Sequence, residues 1–275
     1  MLHDKIPVWP EHEQDSGEES EKATPTPTLY TYVLEGSEAR PAVMVLPGGG
    51  YGFTSTRESE AVAIQFAAAG FHSFVLHYSC APKRHPQPLL DVSRAMCILR
   101  ENAEDWGIKP DKIAVCGFSA GGHLAATLGV HWDKSFATEG PGIQRGQNAP
   151  NALVLAYPVI SAKTRPHQTS FRNLLGKNAT EEQLHTVSVE HHVTSETVPV
   201  FLWHTAEDTV APVDHSLLLA SALAEKAVPF ELHVYPYGGH GLSLADKETN
   251  GPEHADPHVA TWFSLCTDWL SRLFS

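Results

Sequence analysis

Residues 112–126 read KIAVCGFSAGGHLAA, and this stretch decides the fold. An apolar run typical of a buried β-strand leads into the pattern Gly-x-Ser-x-Gly, and an alanine-rich helical pattern follows. Gly117 and Gly121 flank Ser119, so no side chain crowds a sharp turn there. The Ser119 hydroxyl is then expected above a sheet at the N-terminus of a helix, whose dipole stabilises developing negative charge. The stretch predicts a nucleophilic serine; the alternative is a small-residue turn that only packs a helix on a sheet.

Outward from this stretch, strand patterns alternate with helical ones. Helical periodicity covers 58–69, 89–99, 119–129, 214–226 and 258–273, and the apolar strand-like runs are 29–34, 42–46, 72–77, 112–116, 152–157, 200–204 and 230–235. Alternation of this kind predicts an α/β fold with a mostly parallel central sheet and helices on both faces. We expect one domain over 1–275, with an acidic surface loop at 11–28 and a polar insertion over the active site at 158–198.

A nucleophilic serine needs a base, and the base needs an acid that orients it. In a sheet of this type the acid follows the serine along the chain and the histidine comes last. Asp208 follows the strand pattern at 200–204, where the carboxyl end of a parallel strand meets ligands. Glu207 is its rival and Asp214 a weaker one, and a turn or helix-capping role for Asp208 stays open.

His240 is the predicted base. It lies between glycines after the strand pattern at 230–235, again at the carboxyl end of a strand. His254 and His258 come later in the chain, but the last helical pattern begins there. His123 and His204 are interpreted as packed residues that support the site.

A glycine-rich turn is the predicted oxyanion hole. Residues 47–51 read PGGGY after a strand pattern, and backbone amides in such a turn can approach an ester oxygen. We expect backbone amides of this glycine triplet, together with the amide of Ala120, to bind the oxyanion. The turn matches neither a dinucleotide-binding motif nor a P-loop, so no cofactor is predicted.

Composition excludes several other classes. A formal net charge of −13 disfavours nucleic acid and anionic membrane surfaces as partners. The first residues lack a signal-peptide pattern, no apolar run approaches the roughly 18 residues of a membrane span, and the four cysteines stand far apart. These features predict a cytoplasmic protein with free thiols and are compatible with a homo-oligomer. The 17 histidines include runs at 191–192 and 253–258, but neither has metal-ligand spacing, so surface or supporting roles are favoured and no metal is predicted.

The chain resembles bacterial α/β-hydrolases described as acetyl-xylan or carbohydrate acetyl esterases. The residues that carry the resemblance are PGGGY at 47–51, GFSAGGH at 117–123, Asp208 and GHG at 239–241. The resemblance extends over nearly the whole chain. Hormone-sensitive-lipase-type esterases are more distantly similar, since they carry histidine where Pro47 stands. The resemblance implies the α/β-hydrolase fold, a Ser119–Asp208–His240 triad, an oxyanion hole at Gly49, Gly50 and Ala120, and a small-molecule ester substrate.

The polar composition of 158–198 favours short acyl groups on hydroxyl-rich alcohols, such as O-acetyl groups on sugars. Two alternatives use the same fold. One is an amidase or peptidase, and the other is a non-catalytic protein that binds a small ligand.

Overall fold

Eight β-strands form one sheet in the computed structural model, which describes residues 1–10 and 26–275. Their order across the sheet is β1-β2-β4-β3-β5-β6-β7-β8. The strands are β1 (Lys5–Pro7), β2 (Thr28–Tyr32), β3 (Arg40–Leu46), β4 (His72–His77), β5 (Ile108–Phe118), β6 (Ala152–Ala156), β7 (Val200–Thr205) and β8 (Phe230–Tyr235). Only the pairings of β1 with β2 and of β2 with β4 are antiparallel. The mostly parallel sheet is confirmed, and β1 is a strand that the sequence did not predict. Most of the predicted acidic loop at 11–28, namely residues 11–25, lies outside the residues that the structure describes.

Helices cover both faces of the sheet, as predicted. They are α1 (Glu60–Ala68), α2 (Gln87–Glu101), α3 (Ala103–Trp106), α4 (Ala120–His131), α5 (Ser135–Thr138), α6 (Gln168–Leu175), α7 (Glu181–Thr186), α8 (Asp214–Glu225), α9 (Lys247–Asn250) and α10 (Thr261–Leu273). Helices α2, α4 and α8 contribute to one apolar cluster, and α1 and α10 contribute to the other. Successive residues of β3 alternate between the clusters, Met44 in the first and Val45 in the second. This explains why the strands read as continuous apolar runs.

Parallel pairing brings the carboxyl ends of six strands, β3 to β8, to one edge of the sheet. Leu46 of β3 pairs with Gly117 of β5, and Ala156 of β6 pairs with Phe118. On the other side, β7 pairs with β8 up to its last residue, Thr205. The loops that follow these strands therefore meet at the edge where open α/β sheets bind ligands.

The segment 158–198 contains more structure than its polar composition suggested. It holds α6, α7 and a 3-10 turn at Val189–His191. Its scattered apolar side chains, among them Val159, Phe171 and Val187, are buried in the cluster beneath α4. The segment is thus packed onto the body of the protein, with Ser161, Ser170 and Ser188 buried and most of its charged residues exposed.

Two further observations concern the described part of the chain. No helix within it combines the length and apolar character that a membrane crossing requires. The four cysteines are free thiols, and three of them are buried.

Candidate active site

Ser119 lies at the sharp turn between β5 and α4. Its backbone has φ +52° and ψ −116°, a strained conformation for a residue with a side chain. The flanking glycines make the turn possible: a Cβ on Gly117 would lie 2.2 Å from the carbonyl oxygen of Gly121, and one on Gly121 would lie 2.1 Å from that of Leu46. No other residue fits at these two positions.

Ser119, His240 and Asp208 form one hydrogen-bonded row. Ser119 Oγ lies 2.8 Å from His240 Nε2, and His240 Nδ1 lies 2.6 Å from Asp208 Oδ2. The order of contacts is the one required for a serine, its base and the acid that orients the base. The three predicted residues, far apart in sequence, are therefore brought together, with Ser119 7% exposed.

Asp208 is held as a carboxylate. Its Oδ1 accepts hydrogen bonds from the amides of Val210 and Ala211, at 2.9 and 3.0 Å. Burial alone would raise the pKa of Asp208, but hydrogen bonds from His204 and His240 and the charge of His240 outweigh burial and hold that pKa well below its usual range. An ionised carboxylate at this place fixes the orientation of the His240 ring.

The rival acids are engaged elsewhere. Glu207 is exposed and its Oε2 accepts from the amide of Gly238 at 3.2 Å. Asp214 pairs with Arg165, with 2.7 Å between Oδ2 and Nη1. Neither carboxylate contacts His240.

Two other histidines pack around the row. The Nε2 of buried His204 donates to the carbonyl oxygen of Ala211 at 2.7 Å and lies 3.4 Å from Asp208 Oδ2. Buried His123 pairs with the hydroxyl of Tyr51 and with the carbonyl oxygen of Val187. Both therefore support neighbouring elements.

The glycine turn lies against the serine. The amide of Gly48 donates to Glu58 Oε2 at 2.8 Å, whereas the amides of Gly49 and Gly50 have no acceptor among residues 1–10 and 26–275. The amide of Ala120 begins α4, so it has no acceptor within the helix. Gly49 has φ +129°, and a Cβ there would lie 2.1 Å from the carbonyl oxygen of Phe53. The three predicted donors thus remain candidates for the oxyanion hole.

Sequence reasoning missed the side chains that the segment 158–198 places beside Gly50. Asn173 Nδ2 donates to the carbonyl oxygen of Gly50 at 2.9 Å. His167 Cε1 and Ser170 Oγ each lie 3.7 Å from where a Cβ on Gly50 would be. Only the generally polar composition of the segment signalled that it would offer hydrogen-bonding groups here.

The histidine-rich runs pack on other aromatic rings, and in the second run the centroid of the His258 ring lies 5.2 Å from that of Tyr235. The rings of His185 and His191 stack with their centroids 5.0 Å apart, and His192 packs on His131 at 4.5 Å. Across the part of the chain that the structure describes, no group of three or more His, Cys, Asp or Glu side chains is placed to hold a metal ion.

The sheet order, the strand–turn–helix unit around Ser119 and the placement of the site define an α/β-hydrolase fold. The chain belongs to the BD-FAE family, whose sequence model matches residues 30–223. Its fold is similar to the crystal structure of an acetyl ester-xyloside bifunctional hydrolase from Caldicellulosiruptor lactoaceticus. That likeness has a TM-score of 0.88 and 38% identity, and it covers 98% of this chain and 96% of that one.

Two curated relatives are similar in sequence. An endo-1,4-beta-xylanase B from Butyrivibrio fibrisolvens is 39% identical over 226 residues, which are 81% of this chain and 35% of that protein. An acetylxylan esterase from Xylanibacter ruminicola is 31% identical over 209 residues, which are 74% of this chain and 41% of that protein. The chain thus spans less than half the length of either relative.

Proposed function

We propose that this protein is a serine carboxylesterase that removes short acyl groups from small esters, with O-acetyl groups on sugars or xylo-oligosaccharides as its substrates. One observation carries the proposal. A buried carboxylate, an imidazole and a serine hydroxyl form a hydrogen-bonded row beside the unpaired amides of Gly49 and Gly50. This arrangement supplies a nucleophile, a base and an oxyanion hole, which together suffice for acyl transfer.

The reaction follows from that geometry. His240 Nε2 accepts the proton of Ser119 Oγ as the oxygen attacks the acyl carbon, and the carbonyl oxygen becomes an oxyanion bound by the amides. The intermediate collapses, the bond to the alcohol breaks, and the alcohol takes the proton from His240. A water molecule then gives His240 a proton and attacks the acyl-serine. Collapse of this second intermediate releases the carboxylic acid and returns the proton to Ser119.

Asp208 contributes by stabilising the imidazolium that forms in both steps. Its short contact with His240 Nδ1 also keeps the proton-accepting nitrogen pointed at Ser119.

The choice of substrate rests on the groups around the serine and on the relatives. His167 and Asn173 are half-buried polar side chains beside Gly50, and such groups suit a hydroxyl-rich alcohol better than an alkyl chain. Phe53 and Tyr237, in the loops that carry Gly49 and His240, expose 64% and 68% of their surface and offer apolar faces to sugar rings. An acetylxylan esterase and an acetyl ester-xyloside hydrolase are among the similar proteins. We place the activity in the cytoplasm, a proposal supported by the free thiols.

Hydrolysis of nitrophenyl esters from acetate to octanoate, together with release of acetate from acetylated xylo-oligosaccharides, tests the substrate class. We expect acetate to give the highest kcat/KM, and a higher value for octanoate would overturn the short-acyl assignment. Labelling by a fluorophosphonate probe, with Ser119→Ala as the matched control, tests the nucleophile. A wild-type protein that is neither labelled nor active would favour a non-catalytic binder.

A further inference from the structure

Glu58 is a buried carboxyl group that the reaction above does not use. It ends the 3-10 turn Thr56–Glu58 before α1 and is only 3% exposed. A carboxyl group is costly to bury unless its oxygens are hydrogen-bonded. Both oxygens of Glu58 have a donor; one donor belongs to the glycine turn, and the other packs against His240.

The first donor is the oxyanion turn. The amide of Gly48 donates to Glu58 Oε2 at 2.8 Å. The backbone of Gly48 lies close to the serine, since a Cβ there would be 3.0 Å from Ser119 Cβ and 2.9 Å from the carbonyl oxygen of Phe118. Because Gly48 donates to Glu58, the amides of Gly49 and Gly50 are the ones left for an oxyanion.

The second donor leads to the histidine loop. The hydroxyl of Tyr157 donates to Glu58 Oε1 at 2.6 Å and accepts from the amide of Ser243 at 2.8 Å. The Tyr157 ring packs edge-on against the His240 ring, with 5.1 Å between centroids. Ser243 Oγ donates to the carbonyl oxygen of Arg57 at 2.7 Å, which returns the chain of contacts to the neighbour of Glu58.

The hydrogen-bond pattern suits an ionised Glu58, because both of its oxygens accept. Each oxygen accepts one donor, and the Tyr157 hydroxyl already accepts from Ser243, so its own proton points at Glu58. Burial raises the pKa of Glu58, while the bonds from Tyr157 and Gly48 oppose that rise. Burial of the Glu58 carboxylate is therefore tolerated only while both donors stay within hydrogen-bond distance.

We propose that Glu58 is a positioning residue that aligns the oxyanion turn and, through Tyr157, the loop that carries His240. The inference rests on the proposed function. Neither Glu58 nor Tyr157 touches the substrate, so their contribution appears in the alignment of groups that do.

Glu58→Gln and Tyr157→Phe test the role. Glutamine keeps the size of Glu58 but has one acceptor oxygen for two donors. Tyr157→Phe removes the second of these donors and, with it, the acceptor of the Ser243 amide. The matched control is Glu60→Gln, which removes an exposed carboxylate two residues away.

For Glu58→Gln we expect kcat on nitrophenyl acetate to fall about 10- to 100-fold with KM within threefold of wild type. Complete removal of one oxyanion donor costs about 100- to 1,000-fold, and misalignment costs a part of that. Affinity for a phenylboronic acid, which forms a tetrahedral adduct with the serine, should weaken by a similar factor. Tyr157→Phe should lose about 3- to 10-fold in kcat, and Glu60→Gln should match wild type.

If kcat for both Glu58→Gln and Tyr157→Phe stays within twofold of wild type, the positioning role of Glu58 is overturned, whatever the melting temperatures of the variants. The proposed esterase function would be unaffected by that result. If Glu58→Gln does not fold, the kcat and boronic-acid affinity of Tyr157→Phe decide, and unchanged values overturn the role. A wild-type protein with neither hydrolysis nor fluorophosphonate labelling would overturn the proposed function, and the role of Glu58 with it.

Discussion

Acid should destabilise this protein through buried histidines, and His215 allows the effect to be isolated. The His215 ring is fully buried at the start of α8, and its Nδ1 accepts from the amides of Ile160 and Ser161, at 3.1 Å each. Desolvation lowers the pKa of His215 to about 4, from 6.5 for an ordinary histidine. The folded protein therefore keeps this ring neutral at pH values where the unfolded chain protonates it.

The sign and size of the effect follow from these two values. A lowered pKa in the folded state gives stability that is present above pH 6.5 and is lost as the pH falls towards 4. Between pH 7 and pH 5 the loss amounts to about 2 kcal/mol for one such histidine, at about 1.4 kcal/mol per unit. Burial lowers the pKa values of His123 and His131 to about 4 as well, so the wild type should lose several times that amount.

His215→Asn removes one titrating ring while the asparagine oxygen can still accept from the two amides. The smaller side chain costs packing energy at every pH, so the quantity compared is the change in the free energy of unfolding between pH 7 and pH 5. We expect the free energy of unfolding in urea, followed by tryptophan fluorescence, to fall about 2 kcal/mol less for His215→Asn than for wild type. The exposed His254→Asn should keep the wild-type difference. An unchanged difference for His215→Asn would refute the reasoning.

Three further outcomes are expected. Ser119→Ala should lower turnover of nitrophenyl acetate about a million-fold without loss of fold by circular dichroism, and retention of more than about a tenth of the rate would exclude this nucleophile. Asp208→Asn should lower kcat about 10,000-fold because it favours the wrong His240 tautomer, whereas Glu207→Gln should leave kcat within about threefold; the reverse result would move the acid by one residue. Phe53→Ala should lower kcat/KM several-fold on acetylated xylo-oligosaccharides and leave nitrophenyl acetate unaffected; equal losses on both would contradict a sugar-binding role.

The sequence predicted those parts of the site whose requirements are local. A turn with strained geometry needs Gly117 and Gly121, and a strand buried on both faces needs a continuous apolar run. Such demands are written in adjacent residues, so the elbow, the glycine turn and seven strands could be predicted. Strand β1 could not, because three residues that include Pro7 have no periodicity and pair only once β2 is in place.

Other features depend on contacts between distant residues. Glu58 reads as an ordinary acidic residue near a helix start, and nothing beside it in the sequence indicates that Tyr157 covers it. In the segment 158–198, polar residues outnumber the apolar ones, yet the apolar side chains of Phe171 and Val187 are both buried in the core. Composition alone therefore described the surface of that segment and not its packing.

The separation of the reacting groups along the chain has a consequence for biosynthesis. Ser119 and His240 are 121 positions apart, and β7 and β8 join the sheet at one end, after the elbow has been translated. A nascent chain that has emerged only as far as β6 can form the strained turn but has neither the acid nor the base. Its serine is then an ordinary alcohol, so a partly made chain cannot attack esters in its surroundings. During cell-free translation, ester hydrolysis should therefore begin only when the last two strands, β7 and β8, have joined the sheet.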